Sequence, residues 1–207
     1  ILTILSGPAA GVAAALMYAR ISDGIFIEVG GTSSDITCIR NGQASVQSAT
    51  IGGHKLFLRT LDVRTIGLAG GSMIRLKNKN IVAVGPRSAH LAGLEYSCFA
   101  PAGTPKDGWR LETVRPLPND PDDYAVAVHG RGQRLALTMT CMANAVRMVP
   151  PDDYASGDGH LAARLIEDYR DDNGTADAFN FPRIVLQTGC AQAVGTVETL
   201  MQDYQLR

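Results

Sequence analysis

No stretch of this sequence approaches the run of about 20 apolar residues that a membrane-spanning helix requires. The nearest, residues 1–19, is interrupted by Ser6-Gly7-Pro8 and has little bulk beyond alanine. It lacks the basic leading region of a signal peptide, and a periodic segment follows directly. A charge surplus is missing too: 19 Lys+Arg stand against 20 Asp+Glu in 207 residues, a net charge of −1. Nothing there draws the chain to nucleic acid or to an anionic membrane. The four cysteines, Cys38, Cys98, Cys141 and Cys190, form no CxxC pair. That argues against a zinc cluster and a dense disulfide framework; reduced thiols in a cytoplasmic protein are the plain expectation, with two bridges left open. The histidines are scattered, with none at i, i+4 from another, so a histidine-held metal is not supported. Disorder is excluded by a hydrophobic content of 45%, enough for one core of ordinary size or two small lobes. The first residue is Ile1, inside what reads as a strand, and the chain is read as a piece of a longer polypeptide.

Glycine is plentiful, at 22 residues, and clustered, which marks tight turns and close backbone approaches. Ser6-Gly7-Pro8 followed by the alanines to Arg20 predicts a capped helix with proline in its first turn. Residues 25–51 predict three successive antiparallel strands, the first two joined by Gly30-Gly31-Thr32-Ser33 and the next two by the hairpin signal Asn41-Gly42. A second unit runs through strand 61–66, Gly67 to Ser72, strand 73–76, the Asn78-Lys79-Asn80 turn and strand 81–84. Residues 101–123 carry five prolines and predict an exposed excursion, a hairpin arm with strands near 111–114 and 124–128. A strand over 135–141, helices over 143–148 and 159–171, a strand over 183–187, a tight turn at Thr188-Gly189-Cys190-Ala191 and a helix over 192–204 complete the reading.

Three segments have the composition of a ligand site. In Glu28 to Asp35, adjacent glycines let backbone N–H groups converge on an anion, and Thr32 and Ser33 add hydroxyls. Glu28 and Asp35, on the flanking strands, would hold Mg²⁺ or a metal-bound water beside that anion. Gly70-Gly71-Ser72 repeats the logic, and the 188–191 turn would let a flat ring lie against backbone near a helix N-terminus. Each segment is equally explained as an ordinary turn. The acid pairs Asp122-Asp123, Asp152-Asp153 and Asp171-Asp172 read as solvated loop ends. Arg131 and Arg134 beside His129 read as a hairpin turn rather than a carboxylate grip, and Cys190 as a small buried residue.

Taken together and in order, Ser6 to Val12, Gly30 to Asp35, Thr65-Ile66-Gly67 with Ala69 to Ser72, and Val84 to Ala89 resemble the hydantoinase/oxoprolinase family. The match is specific over the first 90 residues and weaker beyond. The resemblance implies an α/β fold: one ribonuclease H-like lobe, with inserted β-hairpins, of the actin, sugar kinase and heat-shock chaperone ATPase superfamily. It implies that residues 1–207 are a single domain, the second lobe of a longer protein. Carried over, Gly30, Gly31, Thr32 and Ser33 would hug phosphate, Gly70, Gly71 and Ser72 would lie near the site, and Gly189 and Ala191 would face adenosine. Glu28 and Asp35 would serve catalysis and Mg²⁺.

The activity implied for the parent is ATP-dependent opening of a cyclic amide of hydantoin or 5-oxoproline type, by phosphorylation of an unreactive oxygen. The implied cofactors are ATP and Mg²⁺. The implied partners are the missing N-terminal lobe, the small cyclic amide and a second subunit of hydantoinase B type. The piece alone is expected to be inactive, since half a cleft does not clamp a triphosphate. This chain departs from the family pattern at Glu28, where Asp is usual, at Ala69, after Ala89, and at 188–191. Those departures motivate the alternative of a non-enzymatic, actin-like nucleotide-binding or assembly module; an ATP-dependent ketone carboxylase subunit is a third reading.

Overall fold

The computed structural model describes residues 6–101, 103–147, 161–166, 169, 174 and 180–204. The chain divides into two compact units: one comprises Ile1–Val29, Ser34–Ile66 and Ala193–Arg207, the other Gly30–Ser33 and Gly67–Gln192. Asp152-Asp153, Asp171-Asp172 and both ends of the helix expected over 159–171 lie outside the described residues.

The first unit begins with α1 (Ser6–Ala19), where the sequence places it. β1 (Gly24–Val29) pairs antiparallel with β2 (Ser34–Arg40) in unbroken register. The expected third strand is cut short. β3 (Gln43–Ala44) pairs with β2 only at Ile39 and Arg40, because β6 (Val63–Ile66) occupies the same strand from Ser34 to Thr37. The chain between them leaves the sheet as a separate hairpin, β4 (Val46–Ile51) with β5 (His54–Leu61). Its turn, Gly52-Gly53, has φ of 58° and 82°, a left-handed geometry that glycine adopts without a Cβ penalty. With neighbours on both edges, β2 is buried almost throughout, and Ile36 and Cys38 pack against Leu200.

Beneath this sheet lies a buried carboxylate. Asp62 is 2% exposed and accepts hydrogen bonds from Gln47 Nε2 (2.6 Å), from Arg64 (3.2 Å) and from the Tyr204 hydroxyl. Its own carbonyl accepts from Thr37 Oγ1 at 2.5 Å. A carboxylate this far from water is tolerable only when its lone pairs are met this way.

The second unit is built on a six-stranded sheet. β7 (Ser72–Lys77) pairs with β8 (Asn80–Ser88) and with the start of β11 (Asp123–His129). β11 also pairs with β10 (Trp109–Val114) and β12 (Arg134–Ala136), and β12 runs parallel to the short β9 (Glu95–Tyr96). Side chains alternate across a strand, so Tyr124 and Val126 of β11 join Met73 and Ala136 on one face while Ala127 meets Leu161 and Leu165 on the other. A 3-10 turn, Ser97–Phe99, follows β9; α2 (Met139–Arg147), α3 (Leu161–Ile166) and the first half of α4 (Phe181–Asp203) add helical cover.

The proline-rich segment enters this sheet through β10 and β11, at the strands expected of it. Asp120, within it, is 3% exposed, paired with Arg87 and accepting from the Leu117 amide at 3.1 Å. Asp122 and Asp123 are not merely solvated, as expected, but lie 2.8 Å from Arg75 and 3.7 Å from Arg115. His129 to Gln133 is the hairpin turn expected there.

The C-terminal strand-turn-helix does not form. Residues 181–203 are one continuous α4. Pro182 sits in the first turn, where its missing N–H costs nothing. A Cβ at Gly189 would come 2.8 Å from the Met139 methyl, so this glycine serves close packing of α4 on α2 rather than a turn. Cys190, the next residue round the helix, is consequently exposed rather than buried. The run Ile184-Val185-Leu186 is too short for periodicity to separate a buried strand from a helix.

Three phenols, on Tyr96, Tyr124 and Tyr204, are held above the ordinary tyrosine value of 10.0, in each case chiefly by burial. In the folded chain they keep their protons to higher pH than in the unfolded chain. Stability is therefore full below about pH 10 and falls as pH rises past it. Urea midpoints at about pH 8 and about pH 10.5 should differ in that direction; equal midpoints contradict it. Among the described residues no helix is long and apolar enough to cross a membrane.

Candidate functional site

The two glycine loops separated by some 40 residues of sequence meet in the second unit. Gly30, between β1 and β2, closes its own turn by donating to the Ser33 carbonyl at 3.0 Å. The carbonyls of Gly30 and Gly31 then accept from the amides of Gly70 (3.1 Å) and Gly71 (2.7 Å). The second loop is fixed from its far side: Gly70 accepts from the Thr140 amide and Gly71 from the Ala89 amide, both at 2.9 Å. Thr140 opens α2 and Ala89 follows β8, so four segments distant in sequence hold one backbone cluster.

Glycine is required at the join. A Cβ on Gly71 would stand 2.5 Å from the Gly31 carbonyl oxygen and closer still to the Tyr96 hydroxyl; one on Gly70 would stand 2.8 Å from Thr140 Oγ1. Ser72 is wholly buried and turns its hydroxyl inward, accepting the Ala69 amide at 2.8 Å. Thr32 Oγ1 accepts from Ser88 Oγ at 3.5 Å.

These bonds leave the outer side of the first loop unspent. Among the described residues the amides of Gly31, Thr32 and Ser33 donate to no protein acceptor. Gly31 and Thr32 face a cleft of about 600 Å³. Its other walls are His90, Leu94, Glu95, Tyr96 and Phe99, and the Tyr96 and Phe99 rings stack with centroids 5.2 Å apart and planes 9° from parallel. Burial pushes the Tyr96 phenol up, with further contributions from Cys141 and Cys98, so it remains a neutral donor. Amides without protein acceptors, a hydroxyl and a flat aromatic wall suit an anion attached to an organic group.

In the first unit, Glu28 and Asp35 are direct cross-strand partners at the end of the β1–β2 ladder, on one face of the sheet. Asp35 Oδ1 accepts from Thr65 Oγ1 at 2.5 Å, and the Glu28 carboxylate reaches back over Gly11 of α1, in space that a Cβ there would fill. Neither carboxylate has an ion-pair partner among the described residues. Two like charges directly opposite destabilise a hairpin, and a cation between them removes that cost. No group of three or more His, Cys, Asp or Glu converges among the described residues. Two carboxylates are a donor set that Mg²⁺ accepts where water and phosphate oxygens complete its shell.

Gly189 is buried in α4 and used for packing, while Ala191 is exposed on the same helix. Tyr96, Thr140 and His90 belong to the cluster or its cleft and were not singled out as site residues. The only local signal for any of them is the nearness of His90 to the Val84 to Ala89 motif.

The fold and parts of the sequence have known counterparts. Nucleotide-free acetone carboxylase, from the mechanism of ATP-dependent acetone carboxylation, matches 98% of this chain with a TM-score of 0.51 and 17% identity; the match covers 24% of that chain. At that identity the likeness is one of fold. The caprolactamase subunit alpha of Pseudomonas jessenii is 34% identical over 90 residues, 42% of this chain and 13% of that subunit. This chain therefore spans only a fraction of the length of either relative. The family described as hydantoinase/oxoprolinase matches residues 1–174, most of the chain and all of the loop cluster, and the chain belongs to that family.

Proposed function

We propose that this chain is a phosphate-binding part of an ATP-dependent enzyme that opens a cyclic amide. The observation that carries the reading is the loop Gly30–Ser33: it is docked by the Gly30 and Gly31 carbonyls onto Gly70 and Gly71, Gly31 and Thr32 line a cleft, and the amides of Gly31, Thr32 and Ser33 have no protein acceptor among the described residues. A backbone held by one set of groups while presenting another is preorganised for an anion. The ATP dependence named for acetone carboxylase and the lactam implied by the name caprolactamase support a nucleotide and a cyclic amide, of hydantoin, 5-oxoproline or larger lactam type.

In this reading Gly31, Thr32 and Ser33 bind and orient a phosphate of the nucleotide. Gly70 and Gly71 fix that loop's shape through its Gly30 and Gly31 carbonyls and Ser72 braces their own turn, none of the three contacting the phosphate. Glu28 and Asp35, both in the first unit, would hold Mg²⁺, and Glu28, with the longer arm, would orient a water. The lobe is ribonuclease H-like, of the actin-like ATPase superfamily, residues 1–207 forming one lobe in which the two compact units are subdivisions. The substrate groups come from an N-terminal lobe and a second subunit of hydantoinase B type, in the cytoplasm, and the chain by itself does not turn over.

The test is a calorimetric titration of Mg-ADP into the full-length protein and its Thr32→Ala variant, with ADP release measured against hydantoin, 5-oxoproline and caprolactam. The variant should bind about 10-fold more weakly, the loss of about one hydrogen bond to a charged group. Absence of nucleotide binding in the unaltered protein overturns the reading. Nucleotide binding without turnover on any cyclic amide favours the non-enzymatic module or a ketone carboxylase subunit instead.

A further inference from the structure

Beside the cleft, and independent of what it binds, two cysteines 43 residues apart are brought together. Cys98 lies in the 3-10 turn Ser97–Phe99 and Cys141 in the first turn of α2, with their sulfurs 2.9 Å apart. Cys141 is completely buried and Cys98 is half-exposed. Around Cys141 Sγ gather the Cys98 amide (3.4 Å), Ser97 Oγ (3.5 Å) and Thr138 Oγ1 (3.3 Å), all placed to donate to a thiolate. Burial opposes charge on that sulfur, yet the hydrogen bonds from Cys98, Ser97 and Thr138 bring the Cys141 thiol down to about 6, while the same contact and burial push the Cys98 thiol up. One sulfur is reachable and the other is ready to act as a thiolate, which is the division of labour that a two-step disulfide closure needs.

We propose that Cys98 and Cys141 are a redox-modifiable dithiol, closed to an intramolecular disulfide by a small-molecule disulfide. Cys98 is the entry point by access, since Cys141 is buried, and its raised thiol makes this the slow step: its proton passes to solvent as its sulfur attacks one sulfur of the oxidant, forming a mixed disulfide and expelling one thiolate. Cys141 then attacks Cys98 Sγ, forming the Cys98–Cys141 bond and expelling the second thiolate. The two protein thiols lose two electrons and two protons; the oxidant gains both and leaves as two thiols. The bond ties the turn that carries Phe99, and that directly follows Tyr96, to the helix whose Thr140 amide holds Gly70. Closure therefore fixes the aromatic wall of the cleft against the support of the second glycine loop.

The experiment uses the full chain with the exposed Cys190 removed as Cys190→Ser, leaving three of the four thiols. Incubation with oxidised glutathione, then thiol titration in denaturant and peptide mapping, should show the count fall from three to one with a linked 98–141 peptide pair. Dithiothreitol should restore three. A count that stays at three, or a reaction that stops at a glutathione adduct on Cys98 without the link, overturns the proposal. Adding Cys98→Ser should leave Cys141 unmodified; a glutathione adduct on Cys141 in that variant contradicts Cys98 as the entry point.

Discussion

Gly71→Ala should cost this protein about 2–3 kcal/mol of stability, the usual penalty for forcing an extra methyl into a filled site. It should also abolish Mg-ADP binding at concentrations that saturate the unaltered protein. The methyl would meet the Gly31 carbonyl oxygen at 2.5 Å and the Tyr96 hydroxyl closer still. Neither can retreat cheaply, because Gly31 is backbone and Tyr96 is stacked on Phe99. The loop would have to separate from its partner, losing the bonds that join Gly70 to Gly30 and Gly71 to Gly31. Gly31→Ala is the companion measurement. Its nearest neighbour would be the Tyr96 hydroxyl at 3.9 Å, ordinary contact, so its unfolding free energy from urea denaturation should stay within about 0.5 kcal/mol of the parent's. If ligand sits on this loop, Gly31→Ala weakens Mg-ADP binding without loss of stability. A Gly71→Ala protein with unchanged midpoint and affinity would contradict the tight join.

Asp62→Ala should destabilise the first unit by about 3 kcal/mol, a large part of the 5–15 kcal/mol by which domains are usually stable. Three side chains lose an acceptor at once: Gln47, Arg64 and Tyr204. Arg64 keeps Asp203 at 3.0 Å and is 40% exposed, so the cation itself is not stranded. The penalty comes instead from the unpaired Gln47 amide and Tyr204 hydroxyl beside a vacated, partly polar space. Chemical denaturation of Asp62→Ala and Asp62→Asn reads the two contributions. The asparagine keeps the shape and some acceptor capacity and should recover roughly half the loss; equal losses would place the cost in the lost charged acceptor rather than in packing.

How much of this was legible beforehand depends on range. α1, the β1–loop–β2 hairpin, the Asn41-Gly42 and Asn78-Lys79-Asn80 turns and the β10–β11 arm follow from local signals, and each is found. Asn41, Asn78 and Lys79 have positive φ, of 51°, 49° and 56°, as such turns demand. The failures share one cause. The third strand was cut short because β6, from 20 residues further on, took most of the edge it would have used. Gly189 read as a turn because glycine is flexible, but it lies inside α4, where the missing Cβ lets the Met139 methyl come close. Cys190 read as a small buried residue because no base stands near it in sequence, and the continuous helix leaves it exposed.

The sequence by itself determined the family, the glycine–hydroxyl loops and the acids flanking the first of them, since these are contiguous motifs whose chemistry is carried by residue type and spacing. That Gly30-Gly31 and Gly70-Gly71 bond to one another, that Ser72 turns inward, that Tyr96 and Phe99 wall the cleft and that Cys98 meets Cys141 were decided only by tertiary structure. Each of these depends on a contact between residues dozens of positions apart, and such contacts are set by which strand edges and faces are left to be filled, a property of the assembled chain that no local window contains.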